Sequence, residues 1–182
     1  MNKNLQINNI SLSTTPSKWI KNNLSKNVKD RTLLDIACGN GRHSIYAASL
    51  GYKVISLDIN KEKIYKLNSN KLIFPIQIDI EKSNAWPFTN KVFNTIIVTN
   101  YLYRPIFQNI INSIKLGGTL LYETFSIENS NFGKPNNPSY LLKPQELLKL
   151  AKKNNLEIVN YEEIIIQQPI KKALQRIHAI IK

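Results

Sequence analysis

The sequence predicts an α/β fold: a three-layer doubly wound sheet of seven strands, mostly parallel, with an antiparallel last strand. Three observations predict it. Apolar strand-like segments alternate with helical ones along most of the chain. The segment FNTIIVTN is too continuously apolar for a half-exposed hairpin strand and suits a parallel sheet covered on both faces. The last two strand-like segments, LEIVNYEEIIIQ and ALQRIHAIIK, are joined by too few residues for a helical crossover, so that pair is antiparallel.

The elements follow in order. Residues 1–14 read as a loose lead-in. TPSKWIKNNLSKN reads as a short helix, with Thr15 as its cap, Pro16 in the first turn, and Trp19, Ile20 and Leu24 on one face. Leu33, Leu34 and Ile36 form a buried strand that runs into a glycine turn. A helix follows with Ile45, Ala48 and Ser49 on one face, and Gly51 ends it before the strand KVISLD. KEKIYKLN is a helix, FPIQIDIE a third strand and FNTIIVTN a fourth. RPIFQNIINSIK carries Ile106, Phe107, Ile110, Ile111 and Ile114 at helical spacing, closed by LGG before the fifth strand TLLYETF. Ser126 to Lys143 breaks the alternation with asparagines, prolines and one glycine, and Pro144 opens a helix carrying Leu147, Leu148 and Ala151.

At 182 residues the chain fits one domain, 1–182, with enough length to bury a core unaided by disulfides or metal. Cys38 is the single cysteine, which excludes an intrachain disulfide and argues against a thiolate metal site; no metal is expected. The first residues lack the apolar block of a signal peptide, and no apolar run reaches the ~18 residues of a membrane span. The expectation is a soluble cytoplasmic protein without a membrane span. The net charge of +13 raises the question of a nucleic-acid partner. Lysine, asparagine and isoleucine share AT-rich codons, however, and clustered arginines and aromatics are not apparent, so codon drift is preferred over an anionic partner.

The chemistry concentrates in LLDIACGNGRHSIYAASLGYKVISLDIN. Glycines at a strand-to-helix turn let the backbone approach a ligand, and free amides at the helix start favour electron-rich groups. Gly39 and Gly41 occupy that turn. Asp58 ends the next strand, where a carboxylate can accept both hydroxyls of a ribose, so an adenosine-containing ligand is expected. A dinucleotide fingerprint is not met, because Ser44 stands at the third glycine position, and no Gly-Lys-Ser/Thr marks a P-loop.

DIACGNG resembles the first motif of class I S-adenosylmethionine-dependent methyltransferases, an acid, two spacers, a small residue and paired glycines. CGNGRHSIYAASLGYKV is most similar to small bacterial methyltransferases of the tellurite-resistance and ubiquinone-biosynthesis types, and the superfamily resemblance extends from about Leu33 to Lys182. It implies a Rossmann-like methyltransferase fold, S-adenosyl-L-methionine as cofactor and S-adenosyl-L-homocysteine as product. It further implies that Gly39 and Gly41 line the methionine and ribose portion, that Asp35 helps hold the methionine amino group, and that Asp58 takes the ribose hydroxyls. Asp79 matches the acid that meets the adenine amino group, with Ile80 beside the ring, and Asn100 supplies backbone contacts at the methionine end. Ala37, Cys38, Arg42 and Ile59 complete the expected cofactor-binding set, Cys38 as a small packing residue rather than a nucleophile.

Methyl transfer from a sulfonium works mainly by alignment; a soft anionic acceptor needs positioning, whereas oxygen or nitrogen acceptors more often need a base. The acceptor side lies beyond the carboxyl ends of the fourth and fifth strands. Tyr101 and Tyr103 are candidates to stack on or hydrogen-bond an acceptor, Arg104 to clamp an anion, and Glu123 to orient or deprotonate. NYLYRP lacks the Asn-Pro-Pro-Tyr motif of amino-directed nucleic-acid methyltransferases, which disfavours a flipped base. Ser126 to Tyr140 reads as a lid, closed by Phe132 and Tyr140 and hinged at Gly133. The expected activity is methyl transfer to a small-molecule acceptor. The alternatives are methylation of RNA or a translation protein, and a non-catalytic S-adenosylmethionine-binding module.

Overall fold

In the computed structural model, which describes residues 15–26 and 30–182, the apolar segments assemble into one seven-stranded sheet. The lead-in expected over residues 1–14 and the end of the first helical stretch lie outside the described residues. Helix α1 is Lys18–Asn23, followed by β1 (Thr32–Ile36), α2 (Arg42–Ser49) and β2 (Lys53–Asp58). Then come α3 (Lys61–Tyr65), extended by a 3-10 turn over Lys66–Ser69, β3 (Ile73–Gln77) and β4 (Phe93–Thr99). The second half holds α4 (Phe107–Ser113), β5 (Ile114–Phe125), α5 (Glu146–Lys153), β6 (Glu157–Ile166) and β7 (Lys172–Ile180).

The strand order is β3-β2-β1-β4-β5-β7-β6. The first five strands run parallel, and β7 lies antiparallel between β5 and β6. The chain moves outward from β1 to β3 and returns to β4 beside β1, so β1 and β4 flank the switch point at which such sheets bind ligands. One face packs Trp19, Ile20, Ala47, Ala48, Ile64 and Leu67 from α1, α2 and α3 with its turn, and the other packs Ile110, Ile111, Leu147 and Ala151 from α4 and α5. These are the three expected layers.

Local departures have identifiable causes. Ser17, not Thr15, caps α1, its Oγ accepting from the Trp19 N–H at 3.2 Å. In α2 the inward stripe is His43, Ser44, Ala47 and Ala48, while Ile45 is half exposed and Ser49 exposed. Hydrogen-bonding demand outweighs apolar periodicity there, because Asp35 is fully buried on β1 and draws Ser44 toward it. Between β3 and β4 the alternation fails: residues 78–92 form turns, and Trp86, Phe88 and Phe93 pack edge to face with centroid separations of 5.7 and 4.9 Å against that side of the sheet. The LGG stretch lies inside β5, where the register with β4 shifts, and Gly117 takes a φ of 70° that favours glycine. Helix α5 starts at Glu146 after Gln145, two residues beyond Pro144.

Candidate active site

The glycine turn is built by β1 ending against α2. Gly41 caps α2 at φ 71°, and a Cβ there would run into Leu67; Gly39 has φ 58°, and a Cβ would meet nothing within 4 Å. Close packing dictates the first glycine-only position, whereas backbone conformation and open space distinguish the second. The Gly39 N–H donates to Asp58 Oδ2 at 2.7 Å, and the Asn60 N–H to Oδ1 at 2.9 Å. Both carboxylate oxygens are thereby held by backbone donors, and each retains a further acceptor site.

A cavity of about 350 Å³ opens at the carboxyl ends of β1 to β4, lined by Ala37, Leu57, Asp58, Ile59, Ile78, Asp79, Ile80, Glu81 and Tyr101. It brings together five residues of the expected cofactor set, Ala37, Asp58, Ile59, Asp79 and Ile80, with Tyr101 from the acceptor set. Asp79 Oδ1 accepts from the Glu81 N–H at 3.1 Å.

The remaining expected residues lie outside that lining. Asp35 Oδ2 accepts from Ser44 Oγ at 2.6 Å, and Ser44 accepts from Ser56 Oγ at 2.8 Å, while Asp35 Oδ1 is buried without a protein partner. Burial pushes the Asp35 carboxyl up to about 7, against the opposing hydrogen bonds of Ser44. Cys38 is buried, and burial pushes its thiol upward, as suits a packing residue. Arg42 opens α2, and Asn100, at φ 53°, donates its N–H to Glu123 O at 2.9 Å.

His43, next to Arg42, is 1 % exposed; burial, then the Arg42 charge, pushes it down to about 3. Its Nε2 accepts from the Ser17 N–H at 3.2 Å, so neutral His43 carries its proton on Nδ1 and donates to Thr99 Oγ1 at 3.2 Å. This ring pins the start of α1 to the end of β4.

Three acceptor-side expectations change. Arg104 does not face an open anion site: Nε and Nη2 donate to Glu146 at 2.7 and 2.9 Å, Nη1 to Ser139 O and Nη2 to Leu141 O at 2.9 Å each. The guanidinium is committed to the chain's own carboxylate and carbonyls. Glu123 is 2 % exposed and lies 2.6 Å from Arg176 Nε on β7, so its carboxylate is committed to an ion pair with the chain's own guanidinium. Ser126 to Tyr140 is anchored rather than hinged: Ser126 N–H bonds Ala173 O, Ile127 N–H bonds Leu142 O, and buried Asn129 bonds Pro135 O and the Ala173 N–H. Phe132 lies under the Lys171 ammonium at 4.5 Å, and Tyr140 is exposed.

The structure also brings in residues that the sequence reading passed over. The Glu81 side chain accepts from Tyr101 OH at 3.0 Å, and its carbonyl from Tyr103 OH at 2.9 Å. Its position two residues after Asp79 was the available signal. Arg176 and Glu146 find their partners only through strand and loop pairing, and no local pattern marks them.

Among the described residues no helix is long and apolar enough to cross a membrane. The Haemophilus influenzae protein named as a probable S-adenosyl-L-methionine-dependent methyltransferase TehB is 33% identical over 88 residues, covering 46% of this chain and 30% of that protein. The crystal structure of TehB from Haemophilus influenzae superposes with a TM-score of 0.69 at 25% identity, covering 84% of this chain and 58% of that one. This chain thus spans less than two thirds of that relative. An S-adenosylmethionine-dependent methyltransferase from Mesorhizobium loti shares the fold at 13% identity, with a TM-score of 0.70 over 88% of this chain and 95% of that one. A family model described as tellurite resistance protein TehB matches residues 3–167, and the chain belongs to that family, within the class I S-adenosylmethionine-dependent methyltransferases.

Proposed function

We propose that this chain binds S-adenosyl-L-methionine in the cavity at the ends of β1 to β4 and transfers its methyl group to a small anionic acceptor. The observation that carries the cofactor half is Asp58, which lines the cavity with both oxygens pre-oriented by the Gly39 and Asn60 N–H groups. The residues fit the cofactor in two further respects. Asp35 Oδ1 is a buried acceptor without a protein partner, and the space over Gly39 is open. Asp58 would hold the ribose hydroxyls, Asp79 and Ile80 the adenine, and the glycine turn with Asp35 the methionine end. When bound, the cofactor supplies a methyl group already activated on sulfonium, so the chain's own task is alignment and exclusion of water.

The acceptor reading rests on charge. Burial first, and the Arg42 and Arg176 charges after it, lower the Lys172 ammonium while Glu123 raises it, so Lys172 feels two further cations and one carboxylate. Glu123 is paired with Arg176, and His43 is uncharged with both ring nitrogens bonded. Such a site suits an anion whose nucleophilic atom needs no proton removed, and the description of the family as tellurite resistance proteins points to a chalcogen oxyanion.

The test is calorimetric titration of S-adenosylhomocysteine into the wild type and Asp58→Ala. We expect micromolar binding that weakens by about one to two decades in the variant, from losing roughly 1.5–3 kcal/mol of charge-assisted hydrogen bonding. Absence of binding to the wild type would refute the cofactor reading. Methyl transfer from labelled cofactor to tellurite or selenite, and none to bulk RNA, is the expected outcome of the acceptor screen.

A further inference from the structure

We infer that Glu81 is a positioning residue that, through Tyr101 and Tyr103, latches the two walls of the cofactor cavity together and governs how fast S-adenosylhomocysteine leaves. The inference rests on the cofactor reading above and adds the control of exchange at that site.

The two walls come from different parts of the sheet. Glu81 follows β3, whereas Tyr101 and Tyr103 follow β4, and β2 and β1 lie between those strands. Glu81 and Tyr101 both line the cavity, together with Ala37 just after β1 and Asp58 at the end of β2. The hydrogen bonds from Tyr101 OH to Glu81 Oε1 and from Tyr103 OH to Glu81 O therefore join one rim of the cavity to the other. A single residue receives both phenols, one on its side chain and one on its backbone.

Each wall is stiffened behind the latch. The Tyr101 carbonyl accepts from Tyr122 OH at 3.0 Å, which ties the segment after β4 to β5. The Glu81 N–H donates to Asp79 Oδ1, so Glu81 cannot shift without disturbing the carboxylate assigned to the adenine. Burial, followed by the Glu81 carboxylate itself, drives the Tyr101 phenol upward, which keeps its proton available for donation. Glu81 is exposed to solvent. A hydrogen bond at such a position is weak enough to open on each turnover yet long-lived enough to slow escape of a ligand beneath it.

The latch is tested by following dissociation of S-adenosylhomocysteine from the full chain by stopped-flow displacement. The proteins are wild type, Tyr101→Phe, Glu81→Ala, the double variant and Tyr103→Phe. Tyr101→Phe keeps the ring and Glu81 is exposed, so both single variants retain the wild-type melting temperature. Each is expected to release the ligand about 3–10-fold faster, with association also faster, and the double variant no faster than either single one, because one bond is being broken. Tyr103→Phe, which leaves the carboxylate bond in place, shows the smaller acceleration. Release at the wild-type rate from either single variant, or multiplied effects in the double variant, overturns the latch. Weakened binding by Asp58→Ala would leave the cofactor reading standing in that case. A wild type that binds no S-adenosylhomocysteine overturns both.

Discussion

Asp35 shows how one buried carboxyl links stability to pH. It is fully buried, with Ser44 on one oxygen and no protein partner on the other. Its folded value of about 7 lies above its unfolded value of 3.8, so the native state retains a proton that the unfolded chain releases between those limits. This contribution to stability is fully present below the unfolded value and is lost as the pH rises through 7. Asp35→Asn, which accepts from Ser44 but carries no charge, should therefore gain on the wild type as the pH rises from 4 to 8, by on the order of 2–4 kcal/mol. Denaturant melts of both proteins across that range check it; parallel pH profiles would show that Asp35 is not the titrating group. His43 has the opposite sense, because its neutral form is the one bonded to Ser17 and Thr99.

At the scale of elements, one ion pair adds to the backbone and Asn129 bonds that anchor the strap from Ser126 to Lys143. Arg104 joins the end of β4 to Glu146 at the start of α5 and to two loop carbonyls. Burial acts to raise Glu146, but the Arg104 bonds and the Lys143 N–H outweigh it and hold the carboxyl below its ordinary value. That contribution is present above the ordinary carboxylate range and is lost as the pH falls through the depressed value. Arg104→Ala leaves a partly buried carboxylate and two carbonyls without their donor, and is expected to cost about 1–3 kcal/mol. Hydrogen exchange should then quicken at Ile127 and Leu142, whose amides close the strap, while β1 and β2 remain protected. Unchanged exchange at those two amides would assign the anchoring to Asn129 instead.

For the whole molecule, the charge of +13 sets a self-repulsion that few described ion pairs offset. Raising monovalent salt from about 0.01 to 0.15 M shortens the Debye length from roughly 30 to 8 Å and should raise the melting temperature. Affinity for S-adenosylhomocysteine should change little, since its proposed contacts are short and partly buried. A melting temperature that falls with salt would show that attractive pairs dominate the surface. The position of β7 between β5 and β6 also belongs to this scale: it places Arg176 beside Glu123.

By itself the sequence determined most of the alternation of strands and helices, the glycine turn between Asp35 and α2, and the acid at the end of β2; β3 stops at Gln77, so Asp79 lies two residues beyond the strand that was expected to run on to Glu81. Those features are local: apolar periodicity, glycine freedom and strand-end position are all encoded within a few residues. Family resemblance carried the ligand expectation from the same short stretch. Only the tertiary structure decided what long side chains do. Arg104 meets Glu146 across 42 positions, Glu123 meets Arg176 through strand pairing, and the two tyrosines after β4 reach Glu81. The inward face of α2 was decided in the same way, by the buried carboxyl of Asp35 rather than by apolar spacing. Hydrogen-bond and ion-pair partners depend on which strands become neighbours, and that order arises from packing of the whole chain rather than from any local pattern.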